Sequence, residues 1–274
     1  MNNELNLGTL YVLTRGGFGN VLFNYLVGYS LSKQHKMKLV FINSNEKHRP
    51  NMQSYKIFKN CQFQNTLPQH CIKLYERSFV YNPITIPDVS RPYLLDGYFQ
   101  SYKYSYEYLQ EIRQKLLDNV KDSFHEIIRL HESISDGKKT IMLHVRRGDY
   151  LKLQDIHSPL SDSYYEKALD ILVKNRDAYK IMAFSDDNVF LHNWNLLQEY
   201  DYHIVELTDI IETFLLMSLC DDFIISNSTF SLLAYYFRKN VDSKLCIPEK
   251  WFGPFGPKFK LEDIVKTTDN VFRI

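Results

Sequence analysis

Cysteine, long apolar runs and secretion signals are all scarce in this chain, and each shortage excludes a class of protein. Its 274 residues include four cysteines and no Cys-x-x-Cys pair, which argues against a disulfide framework or a zinc site. No run of about 18 apolar residues could span a bilayer. The opening residues Met1–Leu7 have neither the basic start nor the apolar stretch of a signal peptide. We therefore expect a soluble, cytoplasmic protein with no sequence signal for membrane association.

An excess of either charge is also missing. The chain has 33 Lys and Arg against 32 Asp and Glu, a formal net charge of +1. This balance gives no general basic field, which argues against nucleic acid as the main partner. There is no Asp-x-Asp triplet, and the pair Asp186-Asp187 has no His or Glu close to it in sequence. We therefore expect no metal site.

Alternating strand and helix signals predict an α/β protein. Glycine is scarce, yet five of the ten fall within the first 28 positions, and three of these lie between a predicted strand and a predicted helix. The order there predicts a βαβ unit and a parallel sheet, with a strand at Thr9–Leu13, a tight loop at Thr14–Asn20, a helix from about Val21 to Gln34 and a strand at Lys38–Ile42. Signals from Asn43 to Pro92 are mixed, whereas Tyr104–Glu132 indicates one or two amphipathic helices.

A regular alternation follows the polar segment Ser135–Lys139. It predicts a doubly wound domain of about five strands, at Thr140–Val145, Lys180–Phe184, Tyr202–Leu207, Phe223–Ser226 and Lys244–Pro248. The helices between them are expected at Ser163–Lys174, with Ser163 and Glu166 as a capping box, near Val189–Tyr200, at Ile210–Leu219 and at Thr229–Lys239. We predict an N-terminal α/β domain over residues 1–137 and a C-terminal Rossmann-like domain over residues 138–274.

The segment Ile141–Tyr150 is an apolar run that ends in four ionisable side chains. If the run is a strand, these side chains lie at its carboxyl end, where open α/β sheets bind ligands; they are His144, Arg146, Arg147 and Asp149. Two adjacent guanidinium groups are costly to bury without an anion, which favours a phosphate-bearing ligand. The alternative is a structural ion-pair cluster in which Asp149 neutralises an arginine.

Three further segments contain groups that suit a ligand site. Arg15–Asn20 has closely spaced glycines whose backbone N–H groups could approach a phosphate or sugar, or which form a plain tight turn. Asp186 and Asp187 follow an apolar strand, where a carboxylate could accept hydrogen bonds from a guanine edge, or could cap the next helix. Ser226–Ser231 offers hydroxyls and free backbone N–H groups at a helix start for a phosphate, or ordinary N-capping by Asn227 or Ser228. Because three of the four segments follow strands of one predicted domain, we expect them to share a ligand.

In combination these segments resemble glycosyltransferase family 11, the α-1,2-fucosyltransferases. The matching segments run in the family's order over nearly the whole chain; they are Gly16–Asn20, Asp96–Ser101, His144–Asp149, Phe184–Asp187, Asn227–Ser231 and Ile247–Phe252. The chain departs from the family at Val21, where Gln is usual, and at Leu232-Leu233, where Trp is usual. The resemblance implies a GT-B-like fold, with two Rossmann-like α/β domains facing a cleft. It also implies GDP-fucose as the donor, held mainly by the C-terminal domain, with no metal or other cofactor.

The resemblance also implies roles for individual residues. Arg146 is expected to neutralise the β-phosphate of the departing GDP, while Arg147 shares that task or orients Asp149. The guanosine is expected to contact His144 and Asp187, or Asp186. The remaining nucleotide contacts are expected from Asn227, Ser228, Thr229 and Phe230. Across the cleft, the pyrophosphate and fucose are expected to contact Gly17, Phe18, Gly19 and Asn20.

The expected reaction is inverting transfer of L-fucose to the 2-hydroxyl of a terminal galactose of a glycan. A single displacement requires a general base for the acceptor hydroxyl. Asp149 is the candidate, with Asp155 and His157 as alternatives, while residues 43–106 are expected to contact the acceptor. The same fold could instead use another acceptor or another GDP-deoxysugar. A catalytically silent protein that binds a sugar nucleotide or a glycan is the third interpretation.

Overall fold

The computed structural model describes residues 7–43 and 51–274, and the chain divides into two compact units. The first unit runs to Val120 and also contains Lys258–Lys266, while the second contains Lys121–Pro257 and Thr267–Ile274. Part of the region expected to contact the acceptor, residues 44–50, lies outside the described residues. The predicted boundary at 137 differs from this division. The helix Lys121–Ser135 groups with the second unit because it packs against the helix Ile210–Leu219.

The first unit is built on a five-stranded parallel sheet with the order β3-β2-β1-β5-β4. The strands are β1 (Thr9–Leu13), β2 (Lys38–Ile42), β3 (Phe63–Gln64), β4 (Ile72–Tyr75) and β5 (Tyr93–Asp96). Helix α1 (Phe18–His35) connects β1 to β2, and α2 (Leu109–Asn119) follows the sheet. The predicted bounds of β1 and β2 are confirmed. The mixed region between residues 51 and 92 contributes β3 and β4, both of which the sequence did not reveal.

Helix α1 begins three residues before the predicted start at Val21. Phe18, its first residue, is 2% exposed. The ring centroids of Phe18 and Tyr55 lie 5.2 Å apart, and those of Phe18 and Phe58 lie 6.1 Å apart. Burying an aromatic ring of this size stabilises the fold by about 2 kcal/mol. This packing anchors the first helical turn inside the segment that the glycines had marked as a loop.

The second unit contains a six-stranded parallel sheet with the order β11-β10-β9-β6-β7-β8. Its strands are β6 (Lys139–Val145), β7 (Tyr179–Ser185), β8 (Tyr202–Ile204), β9 (Asp222–Ile224), β10 (Leu245–Ile247) and β11 (Val271–Arg273). The helices are α3 (Lys121–Ser135), α4 (Asp162–Leu172), α5 (Asn188–His192), α6 (Ile210–Leu219) and α7 (Thr229–Tyr236), whereas α8 (Leu261–Ile264) belongs to the first unit. The two parallel sheets confirm the predicted α/β fold class. The predicted five strands omitted β11, which is three residues long.

Two local predictions in the second unit were wrong. The single helix near Val189–Tyr200 is instead α5 followed by a 3-10 helix at Asn195–Glu199, because the extended backbone of Trp194 directs its indole into the core, where it is 5% exposed. The capping box at Ser163 does not form. Helix α4 begins one residue earlier, and the hydroxyl of Ser163 instead lies 2.9 Å from that of Ser161.

Two tyrosines of α4 connect that helix to the carboxyl ends of the central strands. The single proton of the Tyr164 hydroxyl is shared between the carbonyl oxygens of Ile225 (2.6 Å) and Cys246 (3.0 Å). The Tyr165 hydroxyl donates to the carbonyl oxygen of His144 at 3.2 Å. Both phenols are buried, so these bonds satisfy carbonyl groups that water does not reach. Hydrogen bonds from α4 therefore stabilise the edge of the sheet at which β6, β9 and β10 end.

No helix in the described parts of the chain is long and apolar enough to cross a membrane.

Candidate active site

The order of strands in the second sheet places a ligand site between β6 and β9. From β6 the chain moves through β7 to β8 at one edge, and then returns to β9 and moves through β10 to β11 at the other edge. Ligands of open α/β sheets bind where this direction reverses, beyond the carboxyl ends of the strands. His144 at the end of β6 and Ser226 after β9 meet at this point, with the His144 Nδ1 atom 2.8 Å from the Ser226 hydroxyl oxygen.

His144 is a neutral, fixed group at this edge. Its side chain is 4% exposed, and burial, with a smaller contribution from the nearby Arg146 charge, lowers the pKa of His144 to about 3. The hydrogen bond with Ser226 fixes the plane of the imidazole, and the ring centroid of Phe230 lies 6.2 Å from its own. At neutral pH the positive charge here therefore comes from the arginines that follow.

Five charged side chains form what we call the arginine cluster: Arg146, Arg147, Asp149, Asp186 and Asp187. The Arg146 Nη2 atom donates to Asp149 Oδ1 at 2.6 Å, and its Nη1 atom lies 3.0 Å from Asp186 Oδ2. The guanidinium carbon lies 5.4 Å from the centroid of the Tyr150 ring. Arg146 is thus held on three sides while 29% of its side chain stays exposed. An anion that binds this guanidinium competes directly with Asp149.

Arg147 makes a separate ion pair, with Asp187 and not with Asp149. Its Nε atom donates to Asp187 Oδ2 at 3.1 Å, and its guanidinium lies over the Phe190 ring, 3.9 Å from the centroid. The other oxygen of Asp187 accepts the backbone N–H of Phe190 at 3.1 Å and so caps α5. The capping role considered for this acidic pair is therefore confirmed for Asp187. The same carboxylate also fixes the direction of Arg147.

The backbone at Gly148 allows Asp186 to reach both arginines. Asp186 Oδ1 accepts the backbone N–H of Arg147 at 2.9 Å, while Oδ2 contacts Arg146. A Cβ atom at position 148 would lie 2.4 Å from that Oδ2 atom. Any residue larger than glycine would therefore push Asp186 away from the arginine cluster.

The segment after β9 lies under the same edge. The Asn227 side-chain amide donates to the carbonyl oxygens of Ser158 and Trp251, both at 3.1 Å, and its backbone carbonyl accepts from Tyr150 at 2.9 Å. Ser228 caps α7 through the backbone N–H of Phe230 at 3.3 Å. The half-buried Thr229 and Phe230 form the first turn of that helix. The helix N-terminus at this edge suits a phosphate.

The candidate bases lie in the segment 149–157, which begins at the cluster residue Asp149. Asp149 is paired with Arg146, yet its side chain remains 42% exposed. The His157 ring stacks on Tyr150, with centroids 4.8 Å apart, and burial lowers the pKa of His157. The Nδ1 atom of His157 is enclosed and has no hydrogen-bond partner. The backbone of Asp155 pairs with Phe255 at 2.9 Å, which joins this loop to residues 251–256.

The glycine-rich segment of the first unit, Arg15–Asn20, also lies at a point where strand order reverses, between β1 and β5. Arg15 pairs with Asp96 through Nε at 3.0 Å and Nη2 at 2.7 Å. The Asn20 side-chain oxygen accepts from Gln100 at 2.9 Å. Gly17 precedes α1, and Phe18 and Gly19 are buried in its first turn. The half-buried polar side chains of this segment are therefore those of Arg15 and Asn20.

Two site residues were missed by the sequence reasoning. Tyr150 lies beneath Arg146, stacks on His157 and bonds to Asn227, and burial raises its pKa to about 12. Asn24 is fully buried, and it accepts the backbone N–H of Arg15 at 3.1 Å while donating to the Gly97 carbonyl at 2.8 Å. An asparagine inside the apolar run of α1 is the signal that could have revealed it, since buried amides need partners.

Among residues 7–43 and 51–274, the His, Cys, Asp and Glu side chains form no group of three or more that could hold a metal ion. The predicted site residues of the second unit do converge: His144, the arginine cluster and the Ser226–Phe230 segment share one edge of the sheet.

Comparison with known proteins identifies the family. The glycosyl transferase family 11 model matches residues 30–267. The O-antigen biosynthesis glycosyltransferase WbnK of Escherichia coli is 25% identical over 291 residues, covering 89% of this chain and 95% of WbnK. Two solved structures have the same fold. The NodZ α-1,6-fucosyltransferase co-crystallised with GDP has a TM-score of 0.50 and 15% identity, covering 84% of this chain and 93% of its own. POFUT1 in complex with GDP has a TM-score of 0.50 and 14% identity, covering 88% of this chain and 99% of its own.

These similarities confirm the predicted GT-B-like class. The family model extends over both units and includes the whole arginine cluster. The resemblance that the motifs indicated is therefore confirmed, and the chain belongs to glycosyl transferase family 11 and is a glycosyltransferase.

Proposed function

We propose that this enzyme transfers L-fucose from GDP-fucose to the 2-hydroxyl of a terminal galactose of a glycan, with inversion at the anomeric carbon. The observation that carries the proposal is the position of Arg146. Its partly exposed guanidinium lies where the strand order of the parallel sheet reverses, which is where such sheets bind ligands. Membership of family 11 supports fucose as the sugar. The names of NodZ and POFUT1, solved with GDP, support a guanosine diphosphate leaving group.

In the proposed reaction the acceptor oxygen forms a bond to the anomeric carbon as the bond to the β-phosphate oxygen breaks. GDP leaves with the bonding electrons, and the acceptor proton passes to a base. Arg146 contacts two carboxylate oxygens, whereas a guanidinium has five N–H donors. The remaining donors, together with the Nη2 group that Asp149 gives up, can bind the β-phosphate as its negative charge grows. Such a contact is worth about 10²–10³ in rate. The proposed reaction uses no metal ion.

Asp149 is the proposed general base. It is the more exposed partner of Arg146, and a phosphate that binds Arg146 would displace it. The displaced carboxylate is then available to accept the proton of the acceptor hydroxyl. Asp155 and His157 are the alternatives on the same loop.

The other residues of the site are proposed to bind the donor. His144 and Asp187 would contact the guanosine, since both are held by hydrogen bonds beside the arginines. The α7 start, from Asn227 to Phe230, would contact the phosphates. In the first unit, Asn20 and the backbone of Gly17 and Gly19 would contact the pyrophosphate and fucose.

The acceptor class is supported by WbnK, whose name assigns it to O-antigen biosynthesis. NodZ is named an α-1,6-fucosyltransferase, so the linkage must be measured and not inferred from the fold. A different acceptor, or a silent binding protein, remains the alternative outcome of the experiment.

The test is GDP release from GDP-fucose with lactose as acceptor, measured with EDTA, for the wild type and Arg146→Ala. We expect EDTA-resistant turnover that falls by about 10²–10³ in the variant. Arg176→Ala is the matched control, because Arg176 is an exposed arginine paired with Glu199 and lies outside the site. Nuclear magnetic resonance of the product gives the linkage. Loss of activity in EDTA, or full activity of Arg146→Ala, would contradict the mechanism, and GDP binding without turnover would favour the silent protein.

A further inference from the structure

Glu76, just after β4, is a carboxylate that the proposed reaction does not use. Its two oxygens accept hydrogen bonds from consecutive backbone N–H groups, that of Tyr98 at 2.7 Å and that of Phe99 at 2.9 Å. Burial raises the pKa of Glu76, although both hydrogen bonds act in the opposite direction. The Glu76 carboxyl group is therefore held by the turn although its surroundings disfavour its charge.

The turn that Glu76 contacts, residues 97–99, has an unusual backbone. Phe99 has φ of 51°, in the left-handed region that a phenylalanine rarely adopts. Its ring is buried and packs edge-on against Tyr104, with centroids 5.7 Å apart. A Cβ atom at Gly97 would lie 2.4 Å from the Glu76 Cβ atom. The missing side chain at Gly97 therefore leaves room for Glu76 beside the turn, and the Glu76 carboxyl group accepts the N–H groups of the turn.

The residues on both sides of the turn hold the glycine-rich segment. Asp96, before it, pairs with Arg15. Gln100, after it, donates to Asn20 at 2.9 Å. Within the turn, the Gly97 carbonyl accepts from Asn24, which in turn accepts the Arg15 backbone N–H. Three separate connections therefore run from one turn to one segment.

We infer that Glu76 is a positioning residue for the transfer reaction. By fixing the 97–99 turn it sets the positions of Arg15 and Asn20 at the carboxyl edge of the first sheet. The inference rests on the proposed function, in which the glycine-rich segment contacts the pyrophosphate and fucose. It adds a residue that lies outside every motif of the sequence and acts only through backbone contacts.

Glu76→Gln is the direct test, since it keeps the side-chain volume but leaves one turn N–H without an acceptor. We expect kcat to fall about tenfold because small misplacements of substrate-contacting groups cost that much or more. The dissociation constant for GDP changes less than kcat, because most of the proposed GDP contacts lie in the second unit. In the melting temperature, the loss of one N–H acceptor is offset by the removal of a half-buried carboxylate. Glu111→Gln is the matched control: it also replaces a carboxylate by an amide, but this carboxylate accepts from Tyr29 and Lys33 between α1 and α2, so kcat is unchanged.

A second variant reaches the same turn from the other side. Gly97→Ala places its methyl against Glu76 and gives a comparable loss of kcat. Combining Glu76→Gln with Gln100→Ala then tests the route of the effect, since both act on Asn20. If Glu76 acts through this turn, the fold-loss of kcat in the double variant is smaller than the product of the fold-losses in the two single variants. A full multiplicative loss overturns the inference.

Hydrogen exchange separates this inference from the proposed function. In Glu76→Gln we expect faster amide exchange in residues 97–101 and also in residues 15–20, whatever the substrate is. Unchanged exchange in residues 15–20 overturns the positioning role, even if turnover falls. Conversely, if the wild type does not release GDP from GDP-fucose, the proposed function fails while the exchange result still decides the role of Glu76.

Discussion

The hydrogen bond between His144 and Ser226 joins the two strands between which the second sheet reverses direction. The 2.8 Å contact is buried on both sides, with His144 4% and Ser226 1% exposed. Ser226 fixes the orientation of the imidazole, and the imidazole lies beside Arg146. This pair therefore forms a buried, rigid part of the candidate donor site.

Ser226→Ala is expected to destabilise the protein and weaken GDP binding. The variant leaves a buried ring nitrogen without a partner, which costs about 1–3 kcal/mol. Urea unfolding measures the first effect and calorimetric titration with GDP the second. Ser161→Ala, which removes an exposed hydroxyl pair, serves as control and should change neither. Normal GDP affinity in Ser226→Ala would show that the His144 plane does not matter for the nucleotide.

His144 also predicts how stability depends on pH. Burial lowers the pKa of His144 to about 3 in the folded protein, compared with about 6.5 in the unfolded chain. Between these two pH values, the unfolded chain binds a proton at His144 and the folded protein does not. The His144 contribution is therefore fully present above about pH 6.5 and is lost as the pH falls towards the folded pKa, by up to about 1.4 kcal/mol per pH unit.

The measurement is the free energy of unfolding between about pH 6 and pH 4.5, for the wild type, His144→Gln and His125→Gln. His125 is an exposed residue of α3, so its replacement controls for the loss of a histidine. We expect a shallower slope in His144→Gln alone. Equal slopes in all three proteins would mean that His144 titrates in the folded state as it does in the unfolded chain.

The fold was predictable where local pattern and tertiary structure agree. The bounds of β1, β2 and α6 follow from apolar runs between clear breaks, and the structure has them as predicted. The start of α1 was not predictable, because it depends on the packing of Phe18 against Tyr55 and Phe58, which are distant in sequence. Likewise β11 is a strand because Leu245–Ile247 lies beside it, not because of its own three residues.

The candidate site was predictable in its location but not in its pairings. Parallel strands bring their carboxyl ends to one edge, so His144, Asp186 and Ser226 had to be neighbours. Which carboxylate meets which arginine depends on the register of β6 and β7 and on Gly148. The sequence therefore could not show that Arg147 pairs with Asp187. Glu76 and Asn24 act through backbone groups, for which no side-chain motif exists.

Asp149→Asn separates the two roles of Asp149. As a general base its loss lowers kcat by about 10²–10⁴, with GDP affinity equal to or tighter than wild type, because a competitor for Arg146 has lost its charge. As a mere counter-ion its loss tightens GDP binding with little change in kcat. Steady-state kinetics with GDP titration distinguishes these results. His157→Gln and Asp155→Asn, measured in parallel, identify the base if Asp149→Asn retains its kcat.

Tyr164→Phe tests the support behind the site without touching it. The change removes one hydroxyl whose single proton is shared between two buried carbonyl groups, those of Ile225 and Cys246. We expect a loss of about 1–3 kcal/mol in the free energy of unfolding, measured by urea denaturation. Because Ile225 immediately precedes Ser226, we also expect a modest rise in the GDP dissociation constant. Tyr200→Phe is the control, since that half-exposed ring stacks on Arg176. A stability loss with unchanged GDP affinity would show that the backbone at Ile225 is fixed by the strand alone.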